Sequence, residues 1–118
     1  MADWVFDRHG RPQFICERDC LLDSRGHVCA WLAGDNVYST HGRHVGWFEQ
    51  GVIYDSQNRA LGFLEGATGP TPARPGLFGR PGTPGFAGRP GRPGLAGAPG
   101  RPGFGGWSAH DLQSYFRG

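Results

Sequence analysis

The sequence predicts an all-β protein: four 16-residue β-hairpins closed into a ring of approximate four-fold symmetry, followed by a Gly-X-Pro tail of polyproline II, collagen-like character. Two repeats carry that reading. Residues 5–68 divide without gaps into four units of 16, beginning at Val5, Leu21, Val37 and Ile53. From Gly76 to Gly103, glycine then falls on every third residue. Internal periods of this kind mark repeat architectures before any single residue is read. Composition divides the 118 residues in the same place, since all but one of the ten prolines lie beyond residue 69. The expected organisation is a hairpin domain over 1–69, a tail over 70–106 and a short anchoring segment over 107–118.

Each 16-residue unit opens on two apolar residues: Val5-Phe6, Leu21-Leu22, Val37-Tyr38 and Ile53-Tyr54. A turn follows, written DRHG, DSRG, STHG and DSQN. Asp or Ser opens it, because a short polar side chain can accept from the backbone just ahead. Gly10, Gly26 and Gly42 close it, with Asn58 in the fourth copy. Asn is the residue that best follows glycine into positive φ. The pattern predicts a type I turn with a G1 bulge. The second strand is then apolar except at one small position, held by Ala30, Gly46 and Gly62 and broken by Phe14. Small residues there predict a bend or a close approach of backbone. One hairpin is marginal in water, so the four must share a core. Closing them into a ring also removes exposed edges.

Both strand faces are apolar. Ile15, Trp31, Trp47 and Phe63 point one way, and Cys16, Leu32, Phe48 and Leu64 the other. One face is expected to build the core while the other lines a funnel or meets a partner. The aromatic set Ile15, Trp31, Trp47 and Phe63 is the candidate ligand surface, because aromatic side chains lining a concavity suit an apolar molecule. The competing reading of the same four is plain core packing.

In the tail, ten Gly-X-Y triplets run from Gly76, with proline at Y in six. Proline fixes φ near the polyproline II value. Leu77, Phe86, Leu95 and Phe104 recur every nine residues and share one face of such a helix. A flexible linker has no need of that stripe. Three outcomes stay open: a collagen-type triple helix, polyproline II strands packed on a surface or on each other, or a flexible tail. Gly76, Leu77, Phe86, Gly88, Gly91, Leu95, Phe104 and Trp107 are the candidate assembly residues. Trp107 begins a segment in which Ser108 is a candidate helix N-cap, with Asp111 three residues on.

Little in the chain suggests chemistry. Cys16, Cys20 and Cys29 align with apolar residues of the other units and read as small core hydrophobes without metal-ligand spacing. His9 and His41 occupy turn slots, and Ser24, Thr40 and Ser56 share another, so they read as turn formers. Glu17, Glu49 and Glu65 recur at one position, either a solvated strand end or a ring of carboxylates facing a cation or the tail arginines. The head carries six arginines and nine acids, and the remainder six arginines and one acid. A basic tail can dock on its own acidic head, on a neighbour's, or on an outside polyanion. No aromatic platform accompanies the arginines, which ranks nucleic acid lowest. An odd cysteine count, no leader pattern and no apolar run near 20 residues predict a cytoplasmic protein without a membrane span.

The stretch GRHVGWFEQGVIYDSQNRALGF resembles the bacterial four-fold beta-flower domain over roughly residues 4–67, and GWSAHDLQSYF is similar to that family's ending. The resemblance implies hairpins radiating from a shallow pseudo-four-fold barrel. That family has no established activity, and lipid or other apolar-ligand binding has been suggested for it, so the resemblance carries the fold and leaves the function open. The resulting expectation is a non-enzymatic, homo-oligomerising structural protein without cofactor or metal. The alternative is a module that binds an apolar molecule or lipid.

Overall fold

Eight strands follow one another in the computed structural model, which describes residues 3–17, 19–69, 71, 74–77, 79, 91–97 and 99–116. They are β1 (Asp3–Asp7), β2 (Pro12–Cys16), β3 (Cys20–Leu22), β4 (Val28–Ala33), β5 (Asn36–Tyr38), β6 (His44–Glu49), β7 (Val52–Tyr54) and β8 (Ala60–Leu64). Each pairs antiparallel with the next, and β8 returns to β1 with Phe6 opposite Phe63, closing the barrel. A four-residue helix, α1 (Leu112–Tyr115), ends the described chain.

The four predicted turns form as their sequences direct. The side chains of Asp7, Asp23, Ser39 and Asp55 each accept from the backbone N–H two and four residues ahead, at 2.8–3.2 Å. Gly10, Gly26 and Gly42 have φ of 83°, 83° and 87°, and Asn58 has φ 61°. A bulge shifts the register within every hairpin, between Val5 and Phe6 and at the equivalent pairs of the other three. The links between hairpins are tighter. Gln50 and Gly51 both lie at positive φ in the two-residue connection between β6 and β7, the primed turn that matches strand twist.

Because the side-chain period of a strand is two, the closed sheet carries two apolar clusters. Trp4, Phe6, Ile15, Cys20, Leu22, Trp31, Tyr38, Trp47, Val52, Tyr54 and Phe63 form one. Val5, Leu21, Val37 and Ile53, all fully buried, form the other with Phe14, Cys16, Ala30, Leu32 and Leu61. Later described residues pack on both. Leu95 and Trp107 pack on the first cluster, and Leu112, Tyr115 and Phe116 on the second.

The small strand position serves close approach, as predicted. A Cβ on Gly62 would lie 2.8 Å from Leu112 Cδ2 and 2.7 Å from the Phe6 carbonyl oxygen. One on Gly46 would lie 2.0 Å from the Tyr54 carbonyl oxygen. The helix cap differs from the sequence expectation. Asp111, not Ser108, caps α1 and accepts from the Ser114 N–H. Ser108 is buried, and its hydroxyl donates to Asp55 Oδ2 at 2.6 Å, a partner that the local pattern could not supply. No helix among the described residues is long and apolar enough to cross a membrane.

Candidate functional site

The proposed ligand surface lies inside the molecule. Ile15, Trp31, Trp47 and Phe63 are 0–4% exposed and sit together in the first cluster. Later residues of the chain lie over two of them, with Arg101 on Trp47 and Arg74 and Trp107 on Phe63. Trp107 meets Phe63 at a ring separation of 6.2 Å, and Phe104 meets Tyr54 edge-on at 6.0 Å.

The tail is held by backbone at the hairpin turns. The Ala96 N–H donates to the Gly42 carbonyl at 2.9 Å. One hairpin on, the Gly105 N–H approaches the Asn58 carbonyl at 3.3 Å, and Asn58 Nδ2 donates to the Pro102 carbonyl at 2.8 Å. The Gly76 carbonyl oxygen sits 2.1 Å from where a Cβ of Gly10 would stand, and the Gly94 oxygen lies at the same distance from Gly42. Trp107 then makes a parallel bridge with Ala60, through 2.7 Å bonds from Ala60 N–H to the Gly106 carbonyl and from Ser108 N–H to the Ala60 carbonyl.

Arginine completes the attachment. The Arg101 guanidinium carbon lies 5.0 Å from the Tyr54 ring centre and 5.6 Å from that of Trp47. Its Nε donates to Asn58 Oδ1 at 2.8 Å and its Nη1 to Glu49 Oε1 at 2.7 Å. One carboxylate of the recurrent Glu17, Glu49 and Glu65 position therefore holds a tail arginine. Arg74 lies 5.6 Å from the Phe63 ring centre and donates to the carbonyls of Ala67 and Gly69. Sequence reasoning followed the nine-residue period of Leu77, Phe86, Leu95 and Phe104 and missed that Arg74, Arg92 and Arg101 keep it too.

The remaining assembly candidates divide. Leu95 is half-buried, whereas Leu77 and Phe104 are 37% and 41% exposed. Among the described residues, a Cβ added at Gly76, Gly79, Gly91, Gly94, Gly97, Gly100 or Gly103 would meet nothing within 4 Å. Phe86 and Gly88 lie outside the described residues.

A family model for the 4-fold beta flower protein matches residues 3–116, nearly the whole chain and including the tail. The chain belongs to that family. It is not a known enzyme family. No curated protein and no solved structure is significantly similar to the chain.

Among the described residues, one concavity lies beside the second cluster. A cleft of about 320 Å³ is lined by Phe14, Cys29 and Phe116, with Gln13, Asp23, Ser24, Arg25 and Gln113 around them. The C-terminal helix forms one wall. Phe116 stands edge-on to Phe14 at 5.7 Å, while the Tyr115 hydroxyl donates to the Val45 carbonyl at 2.5 Å and accepts from the Ser56 N–H at 3.0 Å. The thiol of Cys29 donates to the Leu21 carbonyl at 3.3 Å, and burial, with Asp23 nearby, pushes its pKa up to about 12. Burial, with Asp3 beside it, does the same to Cys16. Neither thiol is poised as a nucleophile, because the thiolate is the reactive form. His44 Nε2 lies 3.0 Å from Asn36 Oδ1, and burial lowers its pKa. Among the described residues, no group of three or more His, Cys, Asp or Glu is placed to hold a metal ion.

Proposed function

We propose that this flower is a non-catalytic binding module that takes up an apolar molecule with a polar end in the cleft beside Phe14, Cys29 and Phe116. One observation carries the reading. The C-terminal helix packs on the second apolar cluster and leaves a concavity lined by Phe14, Cys29 and Phe116 together with Gln13, Asp23, Ser24, Arg25 and Gln113. Its volume lies at the lower end of the range for small-molecule sites. An acyl chain or similar group suits the walls, and Arg25 suits an acidic head. Native mass spectrometry of the full chain, with fatty acids and lysolipids as probes, tests it. Retention of one molecule that is lost in Phe14→Ser and weakened in Arg25→Ala supports the site. A folded chain that retains no probe overturns it.

A second reading, self-assembly through the tail, is favoured by a different observation. Leu77 and Phe104 are the exposed large hydrophobics of the described chain, and the tail glycines beside them leave bare backbone facing open space. Light scattering of the full chain and of Leu77→Ser/Phe104→Ser decides it. An assembled wild type that the double variant dissociates supports the reading. A monomer at all concentrations removes it.

A further inference from the structure

The helix α1 is held to the barrel by side chains that are not equally firm. Leu112 is the fixed point. It is 1% exposed, and its Cδ2 lies 2.8 Å from where a Cβ of Gly62 would stand. At the other end Tyr115 and Phe116 are only half-buried. Tyr115 is held through its hydroxyl, which donates to the Val45 carbonyl of β6 at 2.5 Å and accepts from the Ser56 N–H of the exposed fourth turn at 3.0 Å. Phe116 rests edge-on against Phe14 of β2 at 5.7 Å. Four residues make barely one helical turn, and so short a helix has no stability of its own in water. These contacts therefore set its position.

The looser end borders the cleft. Phe116 and Gln113 of the α1 segment line it together with Phe14 of β2 and Cys29 of β4. The repeat departs from itself at the same place. The slot held by Ala30, Gly46 and Gly62 is filled by Phe14 in the first hairpin. At Gly62 the missing side chain lets Leu112 sit deep, whereas at Phe14 a ring meets Phe116 edge-on. Phe14 is 3% exposed, and Phe116 is one of the rings that cover it.

We propose that α1 is a hinged gate on the cleft. It turns about Leu112, the Tyr115 hydroxyl leaves Val45 and Ser56, and Phe116 lifts from Phe14 to admit an apolar chain to that ring. The gate regulates the site proposed above and rests on that reading. The two hydrogen bonds of Tyr115 set how often it opens. Losing one net hydrogen bond raises the open population roughly 2- to 12-fold.

Cys29 reports the opening without any ligand, because its partly exposed thiol lines the cleft. The full chain is labelled with iodoacetamide and, separately, with a bulky maleimide, and the rate at Cys29 is read by peptide mass mapping. Ser56→Pro removes one donor to the hydroxyl and keeps the turn, since proline suits the first central position of a type I turn. Tyr115→Phe loses both bonds. The maleimide rate is expected to rise at least about twofold in Ser56→Pro and further in Tyr115→Phe, with little change for iodoacetamide. A change in thiol pKa moves both reagents alike, so the ratio of the two rates reads access alone. An unchanged ratio in variants that circular dichroism shows folded overturns the gate. A rise in the ratio that merely tracks lost global stability in urea overturns it as well. Should Tyr115→Phe not fold, Ser56→Pro decides. Fatty-acid retention by native mass spectrometry is measured apart: a wild type that retains none fails the binding reading, while the labelling ratio still decides the gate.

Discussion

The carbonyl oxygen of Gly94 sits 2.1 Å from the place a Cβ of Gly42 would occupy. Gly42 therefore answers two demands at once. Its φ of 87° closes the turn, and its missing side chain lets the tail backbone lie against that turn. Gly34 answers only the first, with φ 57° and open space around it. Gly34→Ala is expected to cost about 1–2 kcal/mol, the left-handed penalty alone. Gly42→Ala adds a backbone clash and should cost about 2–4 kcal/mol in total, or else release the tail. Urea unfolding of both variants, with limited proteolysis near residue 94, separates the two effects. Equal costs for the pair would contradict the assigned contact.

Ser108 ties the end of the tail to the opening residue of the fourth turn. Its buried hydroxyl donates to Asp55 Oδ2 and accepts from the His110 N–H at 3.0 Å. Ser108→Ala leaves a buried carboxylate oxygen without that donor. The expected cost is about 1.5–3 kcal/mol, the range for a hydrogen bond to a charged group. Hydrogen exchange should quicken at Ala60 and Ser108, whose amides bridge the two segments. Protection unchanged there would show that the bridge stands without the hydroxyl.

The buried thiols set a direction for alkaline stability. Burial holds Cys16 and Cys29 protonated up to about 12, against an ordinary thiol value of 9.0. The folded state thus keeps protons that the unfolded state gives up first. Stability is expected to be fully present below pH 9 and to fall as pH rises from 9 toward 12. The double variant Cys16→Ala/Cys29→Ala should flatten that part of the curve. Thiol labelling of the folded chain at pH 8 should be slow at Cys16 until denaturant is added, and prompt labelling of Cys16 would contradict its burial.

The four hairpins were legible because turn chemistry is local. An acceptor at Asp7, Asp23, Ser39 or Asp55 and a positive-φ residue three positions on suffice to write each turn. The use of each face was not legible, since both are apolar and nothing local says that tail arginines lie over Trp47 and Phe63. The cleft was hidden because Phe116 meets Phe14 across 102 positions of chain. The docking of tail on turn was hidden for another reason. It is made by backbone atoms of Gly42, Gly94 and Ala96, which leave no side-chain signature. The arginine spacing was a visible signal, masked by the stronger glycine period.

Arg101 is where charge and stacking can be told apart. Its ion pair with Glu49 is partly solvated, with side chains 28% and 43% exposed. An exposed pair of this kind contributes about 0.2–1 kcal/mol. Glu49→Gln should therefore cost little, and less still at high salt. Stacking on Tyr54 and Trp47 and the bond to Asn58 Oδ1 are better shielded. Arg101→Ala is expected to cost about 1–3 kcal/mol from cation–π and charge-assisted hydrogen bonding together. Arg101→Lys keeps the charge but loses the planar fork, so it should recover less than half of that. Denaturant unfolding of the three variants at two salt concentrations makes the comparison, with tryptophan emission reporting solvent at Trp47. Full rescue by lysine would assign the contact to charge and remove the stacking account.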